Sequence, residues 1–222
     1  DQRDRRQRAA FEKSLQELGL DYVDLYLIHW PVPNFSETWG ILEGLYKEGL
    51  AKAIGVSNFQ DYHLEALMET AAVRPAVNQI ESHPLLRQAP LIKYCAEKGI
   101  AVQEWSPLGG KGASILDENI IETMAQKYAR TPAQIVLRWD LQRGVIPMPK
   151  SVHRELIFSN AQVFDFELDQ CDMAAIDSMK RDKRVGTNPD NFDFIIFFTL
   201  KRTFASLKRC VRYCSFPTNT TQ

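Results

Sequence analysis

The sequence predicts an α/β fold on a parallel sheet, and a (β/α) barrel in preference to an open doubly wound sheet. Three observations carry this. Short apolar runs rich in β-branched and aromatic residues recur at spacings of roughly 25 to 40 residues, each followed by a polar loop and an amphipathic stretch. Each run ends in residues that do not continue a buried strand, most abruptly at His29-Trp30-Pro31, where the proline has no N–H to give a ladder. No GxGxxG follows any run, which disfavours the dinucleotide-binding doubly wound arrangement. The sequence supplies five such strands, whereas a closed barrel uses eight in about 250 residues.

Taken in order, Ala10, Phe11, Leu15 and Leu18 predict a helix from Ala9 to Leu20, closed by Gly19. Val23 to Ile28 reads as a strand buried on both faces. Trp39, Leu42, Leu45 and Tyr46 mark a helix over Ser36–Lys47 that stops at Glu48-Gly49. Ala51–Val56 is the second strand, followed by a helix from about Gln60 to Glu69; Ala76–Glu81 is the third, followed by a helix over Pro90–Lys98. Ile100–Trp105 is the fourth strand. Two helices follow it, about Glu118–Tyr128 and Pro132–Gln142, the second with Thr131 as N-cap and Pro132 at its first position. Val145–Pro149 is a short fifth strand, and helices follow near Arg154–Asn160 and Asp169–Met179.

Composition narrows the function classes. The 222 residues are 45% hydrophobic and 25% charged with a formal net charge of −1, so nothing global points to nucleic acid or an anionic membrane. Cys95, Cys171, Cys210 and Cys214 form no CxxC pair, which argues against a zinc site or a disulfide scaffold and fits a reducing cytoplasm. The polar stretch Asp1–Arg8 is not a secretory signal, and no apolar stretch approaches the roughly 18 residues a membrane span needs.

The five strand ends are His29-Trp30, Ser57-Asn58, Gln79 to Glu81, Trp105-Ser106-Pro107-Leu108 and Lys150-Ser151. In a parallel barrel they converge on one rim. Together they offer amides and hydroxyls for a carboxamide, a flat aromatic for a ring, and a cation beside a hydroxyl for phosphate. That set suits a nicotinamide dinucleotide. Singly, each has a plainer reading: His29 as a core histidine, Ser57-Asn58 as a helix N-cap, Trp105 as a rim aromatic, Lys150 as a solvated charge.

Five motifs carry a resemblance to the aldo-keto reductases. They are Leu15-Gln-Glu-Leu-Gly-Leu-Asp-Tyr-Val-Asp-Leu-Tyr-Leu-Ile-His-Trp-Pro31, Gly55-Val-Ser-Asn-Phe59, Pro75-Ala-Val-Asn-Gln-Ile-Glu81, Trp105-Ser-Pro-Leu-Gly109 and Ile146-Pro-Met-Pro-Lys-Ser151. Phe11-Glu-Lys-Ser14 and Val163-Phe-Asp-Phe166 resemble the 2,5-diketo-gluconate reductase and prostaglandin F synthase-like members. The resemblance covers about residues 9 to 194 and implies five of the eight βα units of a (β/α)8 TIM barrel, truncated at its N-terminus. It implies NADP(H) as cofactor, small aldehydes and ketones as substrates, and a monomer, with association through open sheet edges as a further expectation.

By the same resemblance His29 orients and polarises the substrate carbonyl, and Trp30 lines the substrate pocket. Ser57, Asn58 and Gln79 hold the nicotinamide carboxamide; Trp105 stacks on the ring where the family more often has tyrosine. Ser106 and Leu108 follow the pyrophosphate. Lys150, Ser151 and Val152 meet the adenosine 2′-phosphate, and Asn160 meets adenine. Leu156 stands where the family has an arginine on that phosphate, which weakens the expected preference for NADPH over NADH, although neighbouring Arg154 could substitute.

The family's proton-donating tyrosine and its supporting lysine and aspartate belong to the first three βα units, for which this sequence has no counterpart. Tyr22 and Tyr26, the tyrosines nearest His29, lie within the strand rather than at its end. Two expectations follow: an oxidoreductase acting on small carbonyl compounds, or a fragment without turnover that binds nucleotide or a partner subunit. Residues 195–222 do not resemble the family. They read either as a basic amphipathic helix at a membrane surface, with Leu200, Phe204, Leu207 and Val211 on one face, or as a non-homologous extension, the reading preferred.

Overall fold

The computed structural model of the protein describes residues 6–110 and 114–192, all within one compact unit that ends at Phe192. The expectations for the 195–222 tail lie outside the described residues. Five strands, β1 (Val23–Ile28), β2 (Ala51–Ser57), β3 (Val77–Glu81), β4 (Ala101–Trp105) and β5 (Ile146–Met148), form one sheet in sequence order, every pair parallel. Strand order never reverses, so the sheet has no topological switch point. This is the winding of a (β/α) barrel, here five consecutive units of it.

Helices α1 (Gln7–Leu18), α2 (Phe35–Lys47), α3 (Asp61–Met68) and α4 (Ala89–Glu97) alternate with the first four strands. Between β4 and β5 stand α5 (Asn119–Tyr128) and α6 (Pro132–Gln142), and α7 (Arg154–Ala161) and α8 (Gln170–Asp177) follow β5. Most boundaries fall within two residues of the sequence expectation. Gly19 closes α1 in the left-handed region (φ 66°), and the Thr131 side chain accepts from Gln134 N at 3.2 Å at the start of α6.

The first strand corrects an expectation. Of Val23–Ile28 only Ile28 is buried and Asp24 is exposed, because among the described residues β1 pairs on one side only. The other edge strand, β5, is three residues long and leaves Ile146 and Met148 exposed.

Two apolar clusters fill the layer between sheet and helices. One joins Phe11, Trp39, Leu42 and Leu64 to Ile54, Val56 and Ile80 of the sheet; the other gathers Ile121, Ile135, Val136, Trp139 and Ile176 around α5, α6 and α8. At Gly55 the two middle strands approach so closely that a Cβ would meet Val77 O at 2.6 Å and Leu27 Cδ2 at 2.8 Å. The first obstacle is backbone and cannot step aside. Gly55→Ala is therefore expected to cost about 1–3 kcal/mol of overpacking, read as a lower urea midpoint; an unchanged midpoint would refute this close-packing account.

A charged cluster lies beneath the sheet. Glu104 and Asp140 are both fully buried, and Arg143 Nη1 stands 3.5 Å from an oxygen of each, so one guanidinium serves two carboxyls. The Arg143 guanidinium also lies over Trp139 at 3.9 Å, and Trp139 Nε1 donates to Asp177 at 3.1 Å. Burial, then the charge of Glu104, pushes the Asp140 carboxyl well above the usual range. The folded chain holds that proton where the unfolded chain has released it, so this site favours folding in acid. Its contribution disappears as pH rises from the ordinary carboxylate value, near 4, through the raised one. Asp140→Asn should flatten this decline. Urea unfolding of both chains from mildly acidic to mildly alkaline pH checks it, and parallel curves would rule it out.

Candidate active site at the strand ends

Asn58 is the centre of the rim. It follows β2 with φ 65°, a left-handed conformation that asparagine tolerates better than most residues. That turn aims its amide across three strand ends. Nδ2 donates to His29 O at 3.0 Å and Ser57 Oγ at 3.1 Å, and Oδ1 accepts from Trp105 Nε1 at 2.8 Å. Its backbone N–H and the Ser57 hydroxyl both donate to Gln79 O, each at 2.8 Å. Ser57 and Asn58 are buried. The N-cap reading of this pair is thereby corrected, since Gln60 precedes α3 as its cap and its N–H donates to His63 Nδ1 at 3.1 Å.

Alternation along the strands sorts the other polar groups. Asn78 turns toward the helices, where Nδ2 reaches Phe59 O at 2.9 Å, while Gln79 turns the other way and donates to Gln103 Oε1 at 2.9 Å. Trp105 lies two residues beyond Gln103 and so shares its face. His29, Ser57, Asn58, Gln79 and Trp105 thus form one connected group.

His29 is exposed at the mouth, its ring 5.9 Å from that of Trp30, and partial desolvation lowers its pKa. At neutral pH its imidazole is uncharged, able to donate one hydrogen bond and accept another. Trp30 stacks on Phe192, with centroids 3.9 Å apart. Tyr26 faces α1, its ring edge-on to Phe11 at 4.8 Å, and burial raises its pKa, opposite to what proton donation needs. Tyr22 is about half exposed.

The remaining predicted residues form a second group. Ser106 turns the chain with φ 56°, and its carbonyl accepts from Gly109 N at 2.8 Å; Leu108 packs against the second apolar cluster. Ser151 and Asn160 line one cavity of about 360 Å³ with Ile146, Pro147, Ile157 and Phe164. Lys150 is exposed, Val152 projects with 81% of its surface open, and Leu156 is half exposed on α7. Arg154 lies over the Phe158 ring at 5.5 Å.

Sequence reading placed Glu81 among the strand ends without giving it a role, and missed Gly186. Glu81 is fully buried, and its Oε1 accepts from Val185 N at 2.5 Å and Gly186 N at 3.1 Å. Gly186 in turn lies against the Trp105 ring. The available signal was an acid closing a buried strand, which requires a partner; the partner is 104 residues away.

Comparison with known proteins agrees with this architecture. The family model for the aldo/keto reductase family matches residues 1–181, and the chain belongs to that family. An uncharacterized oxidoreductase of Bacillus subtilis is 56% identical over 187 residues, covering 84% of this chain and 66% of its own length. The glyoxal reductase of Bacillus subtilis is 51% identical over 187 residues, covering 84% and 67%. Among solved structures, a variant of Gox0644 in complex with NADPH superposes with a TM-score of 0.81 at 43% identity, covering 85% of this chain and 70% of its own. The chain spans about two thirds of the length of the curated relatives it matches. Among the described residues no helix is long and apolar enough to cross a membrane.

Asn58 holds the rim together, so its loss should be felt well beyond its own position. Asn58→Ala removes three side-chain hydrogen bonds, leaves the Trp105 indole N–H without its acceptor and keeps the unfavourable φ. The expected destabilisation is about 2–4 kcal/mol, with altered tryptophan emission as Trp105 loses its acceptor. Urea unfolding followed by fluorescence measures both, and a loss below about 1 kcal/mol would contradict the central role given to this residue.

Proposed function

We propose that the chain is an NADP(H)-dependent aldo-keto reductase that reduces small aldehydes and ketones to alcohols, as a monomer in the cytoplasm. The observation that carries the proposal is the Asn58 network, which holds the Trp105 indole and the His29 backbone carbonyl at one strand-end rim, beside the Gln79 carboxamide. The residues fit the cofactor at both ends. A nicotinamide carboxamide needs an acceptor and a donor; the Gln79 amide supplies both through its oxygen and its second N–H, and Asn58 Oδ1 keeps one further lone pair. Trp105 gives the ring a stacking surface. Ser106 and Leu108 follow the diphosphate. Ser151 and Asn160 line a cavity within the roughly 300–1,000 Å³ of small-molecule clefts, with Lys150 and Val152 beside them for the adenosine phosphate. Leu156 in place of an arginine argues for a modest preference for NADPH over NADH.

When bound, NADPH supplies the hydride that reduces the carbonyl carbon. The chain itself orients and polarises the carbonyl. His29, uncharged at neutral pH, would donate a hydrogen bond from its ring N–H to the carbonyl oxygen, draw electron density from the carbon and pass on the proton that completes the alcohol, with water at the exposed mouth returning a proton to the ring. Trp30 forms the wall beside it. Because partial desolvation lowers the His29 pKa, this neutral form persists as pH falls below the ordinary histidine value and is lost only in more acidic solution. The relatives named glyoxal reductase and methylglyoxal reductase support 2-oxoaldehydes as first test substrates.

A single experiment separates turnover from binding alone. NADPH, then NADH, is titrated into the chain with tryptophan fluorescence as readout, followed by NADPH consumption with glyoxal or methylglyoxal. Saturable quenching with turnover is the expected result; quenching without turnover would favour a nucleotide-binding protein, and a flat titration of folded chain would overturn the proposal. His29→Ala should lower kcat by roughly 10²-fold or more while leaving NADPH affinity nearly unchanged. An unchanged kcat would remove His29 from the mechanism.

A further inference from the structure

After α8 the chain returns across the strand ends as a strap. The N–H groups of Arg181 and Lys183 donate to Leu85 O at 3.1 and 3.2 Å, and Arg181 grips Glu118 with both terminal nitrogens at 2.7 and 2.9 Å. Val185 and Gly186 donate to Glu81 Oε1, and Arg184 Nη1 stands 3.5 Å from Glu81 Oε2. Further on, Tyr62 donates to Asp190 at 2.8 Å, and Phe192 stacks on Trp30. Partial burial, then the bond to Asp190, pushes the Tyr62 phenol up to about 12, so that donor keeps its proton across the neutral range.

Gly186 is the point of closest approach. A Cβ there would come within 2.2 Å of Trp105 Cη2 and 3.0 Å of Cζ3, so only glycine lets the backbone rest on this edge of the ring. The opposite edge carries Nε1, already bonded to Asn58. The indole is therefore contacted at both ends of its long axis, and beside the second contact a buried carboxylate bonds the backbone.

We propose that Glu81 is a positioning residue for Trp105: its carboxylate pins the backbone of Val185 and Gly186 so that Gly186 closes on the far edge of the indole and fixes the ring plane. The proposal uses the cofactor reading above only to name what the ring faces. Burial alone would raise the Glu81 pKa, but hydrogen bonds from His83 and from the two strap N–H groups outweigh it and hold the carboxylate charged below the usual range. The pin is thus in place at neutral pH before any ligand arrives, and a ring already oriented spares a ligand the cost of ordering it.

The test uses the full chain, with Trp105→Phe as the spectral reference that isolates one indole among four tryptophans. Glu81→Gln, Gly186→Ala and Val185→Pro loosen the clamp from three sides, and Val185→Pro removes a pinning N–H while leaving the buried carboxylate in place. Glu118→Gln is the control, releasing the same strap at Arg181 away from the ring. The expected result is red-shifted, more mobile Trp105 emission in the three clamp variants, with NADPH binding weakened by roughly tenfold, and no spectral change in Glu118→Gln. The Glu81→Gln/Gly186→Ala double variant should move the emission no further than the larger single effect. Should Glu81→Gln not fold, Val185→Pro and Gly186→Ala decide the matter. Unmoved Trp105 emission in the folded clamp variants overturns the proposal, as does an equal shift in Glu118→Gln. The emission readout needs no cofactor. Shifted emission in a chain that binds no NADPH would uphold the positioning role and defeat the cofactor reading, whereas NADPH binding with unmoved emission would do the reverse.

Discussion

One amide fixes the relation between three strand ends. Asn58 bonds the carbonyl of His29 after β1, the hydroxyl of Ser57 at the end of β2 and the indole of Trp105 at the end of β4, while its own N–H goes to Gln79 in β3. A ladder hydrogen bond joins two adjacent strands; this residue reaches four of the five, three of them through its side chain. Because it is buried, a partner lost from it leaves a polar group without compensation, at about 1–3 kcal/mol each. The strained φ of 65° is the cost of aiming one short side chain in those directions.

The two faces of the sheet treat polarity in opposite ways. On the rim side, amides and an indole share neutral hydrogen bonds, a setting that positions flat polar ligands without holding a net charge. On the helix side, Glu104, Asp140 and Arg143 form a charged cluster sealed by Trp139. Its groups serve to join α6 to β4, and replacing one while leaving the others would strand a buried charge. Glu81 lies between these regimes, a charged group at the rim whose partners are two backbone N–H groups and the side chains of His83 and Arg184.

The repeating architecture was legible in the sequence because each strand and helix carries its own local signal. Gly19, Thr131-Pro132 and the apolar runs each mark their element without reference to the rest. Burial was less legible. Val23–Ile28 has the composition of an inner strand, yet it stands at an edge of the described sheet, and neighbour count is not written in a strand's own residues. The site was readable as a set of residue types at strand ends, not as a network. Nothing in Ser57-Asn58 announces a left-handed turn that converts a presumed helix cap into a crosslink. The position of Glu81 at a strand end was readable, but its partners Val185 and Gly186 were beyond local reading, since the contact closes over about half the chain.

The consecutive strand order also has a consequence for how the molecule is assembled. Every strand pairs with its sequence neighbours, so loops closed by sheet formation stay short and the units can add one after another as the chain is synthesised. The strap is the exception: Tyr62 meets Asp190 across 128 positions, and Glu81 meets Val185 across 104. Those contacts must wait for residues that emerge long after the rim they cover. Among the described residues, the strands that build the rim therefore all precede in sequence the segment that clamps the indole.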